Sequence, residues 1–333
     1  MFLLKRIKLI LTGGTIGSRI DERGNISPSA EPMLLKYCSE TIKYSAEFEV
    51  SEPFSVLSEN MTASHREALI KELLKLEKCP VDGVIVAHGS DTLCYTAALI
   101  SMATRHLPFP IVFIASDKVL SDPASNGRAN FESAVTLIKS STLHRGTFIC
   151  YRDKSGENSV YLGTRLCSAE PIFDSFLPFD GSRLGVTQNG DFYPENTPLI
   201  NEINREKEAV ISGDFKLSDD ILLTFSSPCF YPERLNLEGI TAVINYGYHC
   251  GTGNEKGLLA LAENCKKADI PLYLASFKDK DAPVYESLAE LLKMENVKRL
   301  YNISPESAAA KVCLAHSVNP EILEKNLFFE EIC

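Results

Sequence analysis

The sequence predicts an α/β protein with a larger N-terminal domain, built on a doubly wound, mostly parallel sheet, and a smaller C-terminal α/β domain. Three observations carry that expectation. Compact apolar runs alternate with helical patterns along the chain. The runs are apolar at successive positions, as strands covered by helices on both faces must be. The length, 333 residues, is more than twice the usual domain size of about 100–150.

The elements follow in order. Ile7–Leu11 reads as a strand that ends in the tight turn Thr12-Gly13-Gly14-Thr15. Arg66–Glu77 carries Leu69, Ile70, Leu73, Leu74 and Leu76 on one helical face, ahead of a second strand over Val81–Ala87. Pro110–Ala115 is a third strand, with helices expected over Thr92–Ala103 before it and Asn130–Ile138 after it. A polar stretch punctuated by Asn189-Gly190, Pro194 and Pro198 reads as a linker over 186–214, between a domain at 1–185 and another at 215–333. Alternation resumes there, with strands at Ile221–Phe225, Ala242–Ile244 and Leu272–Ala275 and helices at Gly257–Lys267, Val284–Met294 and Pro305–His316. Ser304 and Pro305 suit the N-cap and first position of the last helix.

Composition narrows the function. Forty-four acidic against 34 basic residues give a net charge of -10, so no global positive field exists to hold a nucleic acid. No apolar run approaches the roughly 18–20 residues of a spanning helix, so no membrane segment is expected and the chain reads as cytoplasmic. The ten cysteines are dispersed, without a C-x-x-C pair or zinc-ligand spacing to a histidine, which suggests buried thiols and no metal. Cys250, beside His249 in a Gly-rich segment, stands apart from the others.

In open parallel sheets, ligands bind beyond the carboxyl ends of the strands. Three segments qualify: Thr12–Ser18 (TGGTIGS), Leu57–Thr62 (LSENMT) and His88–Thr92 (HGSDT). Glycines allow close backbone approach, and the hydroxyls can donate, accept or attack. A phosphate loop is the first rival, but the spacing and lysine of G-x-x-x-x-G-K-[ST] and the third glycine of G-x-G-x-x-G are absent. Neither G-x-S-x-G nor H-E-x-x-H occurs, which leaves a hydroxyl nucleophile near a carboxylate. The plain structural alternatives are a TGGT turn that only bends the chain and a His88 ring held in the core. Asp91, directly after an apolar strand and a glycine, must be solvated, paired or functional.

These three segments resemble, in order, the signatures of the bacterial-type L-asparaginase family, whose forms read TGGTI and HGTDT. The similarity extends to Ser121–Gly127 leading to Asn130, to Gly163–Phe176, to Tyr246–Asn254 and to Ser304–His316, and it is nearest the cytosolic type I branch. It implies a two-domain α/β fold and hydrolysis of the side-chain amide of asparagine, sometimes glutamine, through a covalent acyl-enzyme, with no cofactor. Carried over by position, Thr15 is the nucleophile, Ser90 the hydroxyl that relays protons, and Asp91 both a member of that relay and the binder of the substrate's α-amino group. Ser58 matches the residue that holds the α-carboxylate, and Glu59 faces the substrate. Gly14 and Gly89 line the substrate on the two turns, whose backbone N–H groups can receive an oxyanion. In the family a neighbouring subunit's C-terminal domain completes each site, so a homodimer or homotetramer is implied.

Three departures touch the catalytic group. Asn25 stands where the family has a flexible-loop tyrosine, Ser168 where G-x-R-x-x-K places a proton-accepting lysine, and Ser90 where it has threonine. Assistance from a general base contributes about 10²–10⁴-fold. Arg165 cannot supply it, because guanidinium stays protonated. Lys154, in a polar hairpin upstream, and Tyr37, Tyr44 or Tyr151 are the candidates to substitute. Three functions are therefore expected: asparagine hydrolysis, amino-acid binding without turnover, or hydrolysis of a different amide.

Overall fold

The apolar runs of the N-terminal half pair side by side into one large sheet. In the computed structural model, residues 4–332 are described except 29–32, 44, 80, 171, 173 and 212, so Tyr44 lies outside the described residues. Two units divide at Phe215/Lys216. In chain order, the strands of the first unit are β1 (Lys5–Leu11), the hairpin β2–β3 (Ser18–Ile20, Ile26–Pro28), β4 (Ala46–Ser51), β5 (Gly83–Ala87), β6 (Pro110–Ile114), β7 (Gly146–Arg152) and β8 (Asn158–Leu162). There follow the pair β9–β10 (Leu166–Cys167, Leu177–Pro178), then β11 (Gly185–Gln188) and β12 (Asp191–Pro194). Among the described residues, eight of these strands form one sheet in the order β12-β11-β8-β7-β6-β5-β1-β4. From β4 to β7 the pairing is parallel, and β8, β11 and β12 extend it antiparallel.

Helices bury the sheet. The unit's helices are α1 (Met33–Tyr37), α2 (Glu40–Lys43), α3 (Ala63–Lys75), α4 (Leu93–Ala103), α5 (Gly127–Ser140) and α6 (Thr197–Ile203). α3 buries Leu69, Ile70 and Leu73 along one stripe. α4 buries every residue but Tyr95, as expected of a helix enclosed by protein on all sides.

The stretch 186–214 is not a linker. Asn189 (φ 53°) and Gly190 (φ 85°) both take positive φ, which matches the two-residue turn that suits the twist of a tight hairpin. That turn joins β11 to β12, with Thr187 and Phe192 buried. α6 follows and buries Leu199, Ile200 and Ile203.

The second unit repeats the logic on a smaller scale. Strands β13 (Ile221–Phe225), β14 (Ala242–Tyr246), β15 (Leu272–Phe277) and β16 (Val297–Tyr301) lie parallel in that order. Helices α7 (Glu255–Lys267), α8 (Glu286–Ala289) and α9 (Pro305–Ser317) complete it. Leu258, Leu261 and Cys265 of α7 pack with Val243, Leu272 and Leu274, whereas Ala308 and Val312 of α9 pack with Ile244, Tyr273 and Ala275. Alternate strand residues thus serve two cores. The helix expected over Val284–Met294 is instead the one-turn α8 and a 3₁₀ turn at Leu291–Lys293. Leu288 and Leu291, three apart and both buried, satisfy that tighter period equally well. Among the described residues no helix is long and apolar enough to cross a membrane, and no group of three or more His, Cys, Asp or Glu is placed to hold a metal.

Candidate active site

The sheet order creates a switch point at β1, because the chain leaves β1 to β4 on one side and returns to β5 on the other. Loops leaving the carboxyl ends there diverge and open a crevice, the usual ligand position in such sheets. The three signature segments leave those ends.

Backbone hydrogen bonds stitch them together. The Thr12 N–H and hydroxyl both donate to the Ala87 carbonyl, at 3.1 and 2.9 Å, extending the β1–β5 register past the strand. On the other side, Val56 N–H donates to the Thr12 carbonyl and Gly14 N–H to the Val56 carbonyl, both at 3.1 Å. Thr92, at the start of α4, donates its hydroxyl to the Ser58 carbonyl at 2.9 Å. Sequence reasoning passed over Val56 and Thr92, whose roles depend on backbone partners distant in sequence.

The glycines bring the turns into contact. Gly14 sits at φ 73°, and a Cβ placed there would lie 2.4 Å from the Gly89 backbone. A Cβ on Gly89 would meet Ser58 Oγ at 2.5 Å and Ser58 Cβ at 2.6 Å. Gly14, Gly89 and Ser58 therefore pack closely, and Thr15 and Ser90 are the next residues on the two turns. Ser58 is buried, Thr15 and Ser90 are half-buried, and Asp91 and Glu59 are exposed. The crevice has a neutral hydroxyl floor and two carboxylates near water. Because Gly14 N–H is used on Val56, Gly14 contributes close approach and not a free donor. Gly14→Ala is expected to destabilise the protein by about 3 kcal/mol, from the left-handed φ and the backbone overlap together, measured by chemical denaturation.

His88 is fully buried, with Nδ1–H donating 2.8 Å to the Gly89 carbonyl and Nε2 without a hydrogen-bond partner among the described residues. Desolvation pushes its pKa down to about 4, so the ring is neutral. The folded value lies below the ordinary 6.5, so this contribution to stability is complete above about pH 6.5 and is lost as pH falls toward 4. Between those limits the protein is expected to lose about 3 kcal/mol through this group. The slope should shrink in His88→Gln when denaturation is followed against pH.

The segment that ends at Ser168 packs on α4. Cys94, in the first turn of α4 just past Asp91, donates its thiol to the Cys167 carbonyl at 3.2 Å. A Cβ on Gly163 would lie 2.3 Å from Ser101 Oγ, so the start of this segment presses on α4 as well. The segment 163–168 thus lies along the helix that follows Ser90 and Asp91. Arg165 is held by Asp180 at 2.9 Å, with both side chains largely buried.

The proposed substitutes are engaged elsewhere. Lys154 Nζ donates to the Ile172 carbonyl at 2.9 Å and lies 3.9 Å from Asp174. Tyr151 packs edge-on against Phe176 at 4.8 Å, and burial pushes its phenol up to about 12. The Arg128 guanidinium covers the Tyr37 ring at 5.2 Å. Asn25 is exposed at the tip of the β2–β3 hairpin, where its N–H donates 2.8 Å to Asp21 and helps hold that carboxyl below its ordinary range.

Fold and site together define a class: a two-unit α/β protein whose hydroxyl-bearing glycine turns pair at the switch point of the larger sheet. The N-terminal asparaginase family matches residues 6–190, and the chain belongs to the asparaginase family. It is similar to the thermostable L-asparaginase from Thermococcus kodakarensis, with a TM-score of 0.77 and 19% identity over 98% of this chain and 99% of that one. A probable cytoplasmic L-asparaginase from Campylobacter jejuni gives a TM-score of 0.74 and 20% identity over 98% and 99% of the two chains. Identity this low speaks to the fold alone. A glutamyl-tRNA(Gln) amidotransferase component of Methanosphaera stadtmanae is 25% identical over 331 residues, 96% of this chain and 74% of that protein. The Aeropyrum pernix protein of the same name is 34% identical over 133 residues, 39% of this chain and only 31% of its own length.

Proposed function

We propose that the chain hydrolyses the side-chain amide of L-asparagine to L-aspartate and ammonia through an acyl-enzyme on Thr15, at a rate limited by Ser168. The contact of Gly14 with Gly89 supports this reading, because it packs together two turns whose next residues, Thr15 and Ser90, carry hydroxyls, with Asp91 following in sequence. Asp91 and Glu59 suit an α-ammonium group, and the Ser58 hydroxyl suits an α-carboxylate. Thr15 Oγ1 attacks the amide carbon and its proton passes by way of Ser90 to the leaving ammonia. Backbone N–H groups of the two turns receive the oxyanion, and water then releases aspartate from the ester.

Ammonia release measured with L-asparagine and L-glutamine tests the reading. Glutamine belongs in the comparison because it is one methylene longer, a difference worth about 1–3 kcal/mol, and because relatives carry an amidotransferase name. A second reading, binding without turnover, is favoured by a serine at 168, where the G-x-R-x-x-K pattern of the family would have a lysine. Calorimetry with asparagine and aspartate separates the two: binding without ammonia selects the second. As part of the proposal the protein works in the cytoplasm as a homodimer or homotetramer, so light scattering is expected to give two or four times the chain mass.

A further inference from the structure

In the second unit the Gly-rich segment 247–253 leaves the carboxyl end of β14 and lies against β15. Gly247 N–H donates to the Ala275 carbonyl at 3.4 Å, and Ser276 Oγ to the Gly247 carbonyl at 3.1 Å, which ties the segment to β15. Within it, Tyr248 N–H donates to the Thr252 carbonyl at 2.8 Å and Gly251 N–H to the Tyr248 carbonyl at 2.7 Å. The closed turn presents Cys250, partly exposed, with its Sγ 3.1 Å from His249 Nε2. From a separate segment the Tyr285 hydroxyl donates to the same sulfur at 3.6 Å. A nucleophile, an adjacent base and a donor to the sulfur thus meet at one accessible point, an arrangement the amidase reading does not use.

We propose that Cys250 is a site of selective thiol–disulfide exchange, taking low-molecular-weight disulfides as its reagent class. The Cys250 thiol gives its proton to His249 Nε2, and the sulfur attacks one sulfur of the disulfide. The S–S bond of the reagent breaks, a mixed disulfide forms on Cys250, and the departing thiolate takes up the proton from the imidazolium. Cys250 is oxidised and half of the reagent is reduced, so no further reactant enters. Tyr285 keeps its proton to donate, since its contact with the sulfur raises the phenol above its ordinary value.

The other thiols provide internal comparison. Cys38, Cys94, Cys150, Cys265 and Cys313 are buried, and burial pushes the Cys150 thiol up to about 12 and the Cys265 thiol up to about 11. Cys79 and Cys229 are exposed, and the Cys79 thiol contacts a backbone carbonyl, Lys75 O, at 3.9 Å. The test treats the full chain at neutral pH with 5,5′-dithiobis(2-nitrobenzoate) and follows each cysteine by peptide mass mapping. Cys250 is expected to react at least about tenfold faster than Cys79 and Cys229, and His249→Asn to remove that advantage while those two rates stay put. Cys250→Ser is expected to abolish the fast phase, and Tyr285→Phe to slow it with the ring packing retained. Cys250 reacting no faster than Cys79 and Cys229, or unaffected by His249→Asn, would overturn the proposal. The amidase reading stands or falls separately, because it is read from ammonia release.

Discussion

Thr15→Ala is expected to lower ammonia release from asparagine by about 10³-fold or more, to the uncatalysed background. The expectation follows from where Thr15 stands. It directly follows a glycine that cannot carry a side chain, because a Cβ on Gly14 would sit 2.4 Å from the Gly89 backbone. That contact packs the turn bearing Thr15 against the turn bearing Ser90 and Asp91, and the substitution removes the proposed attacking atom while leaving the stitched backbone intact. Substrate affinity should therefore survive, since the groups assigned to the amino-acid end are Ser58, Glu59 and Asp91. Calorimetry on the variant should give binding within about threefold of the parent chain, which converts to less than about 1 kcal/mol. Loss of binding together with loss of ammonia would point to a collapsed site.

Ser168→Lys is expected to act in the opposite direction and raise kcat by about 10²-fold, the lower end of what a placed general base contributes. The segment 163–168 is held to the first turn of α4 by the Cys94 thiol on the Cys167 carbonyl, so a longer side chain at 168 starts from next to the helix that follows Ser90 and Asp91. Arg165, three residues earlier, does not substitute, because it is fixed to Asp180 and stays protonated. A change in kcat with KM nearly constant is the signature of a group acting on the chemical step. Asn25→Tyr added to Ser168→Lys tests the loop position as well. Asn25 closes the Asp21 turn through its backbone N–H, which tyrosine retains. A double variant with unchanged kcat would mean that these two positions do not correspond to the family's lysine and tyrosine.

Much of the fold and part of the site are legible in the sequence, and the misreadings have physical causes. β5 and β6 announce themselves because buried parallel strands are apolar on both faces, and β1 does so through Ile7, Leu9, Ile10 and Leu11 despite the buried Lys8. β4 and β16 escape notice because Ala46-Glu47-Phe48-Glu49 and Val297-Lys298-Arg299 interleave charges with apolar residues and bury little. Asn189-Gly190 reads equally as linker or hairpin until the strands on either side find partners. At the site, Thr15, Ser58, Ser90 and Asp91 follow strands and are visible as motifs. The clasps through Val56 and Thr92, and the packing of Cys167 on Cys94, join residues 34 or more apart and leave no local signature. The engagements of Lys154, Tyr37 and Tyr151 are tertiary in the same sense.

One measurement bears on the central claim most directly: the parent chain is mixed with L-asparagine, quenched in acid, and analysed at once for ammonia and for the mass of the peptide containing Thr15. The account predicts ammonia in step with an aspartyl adduct on that peptide, both absent from Thr15→Ala. Saturable binding of asparagine with neither ammonia nor adduct would contradict it and leave the chain a binder of amino acids.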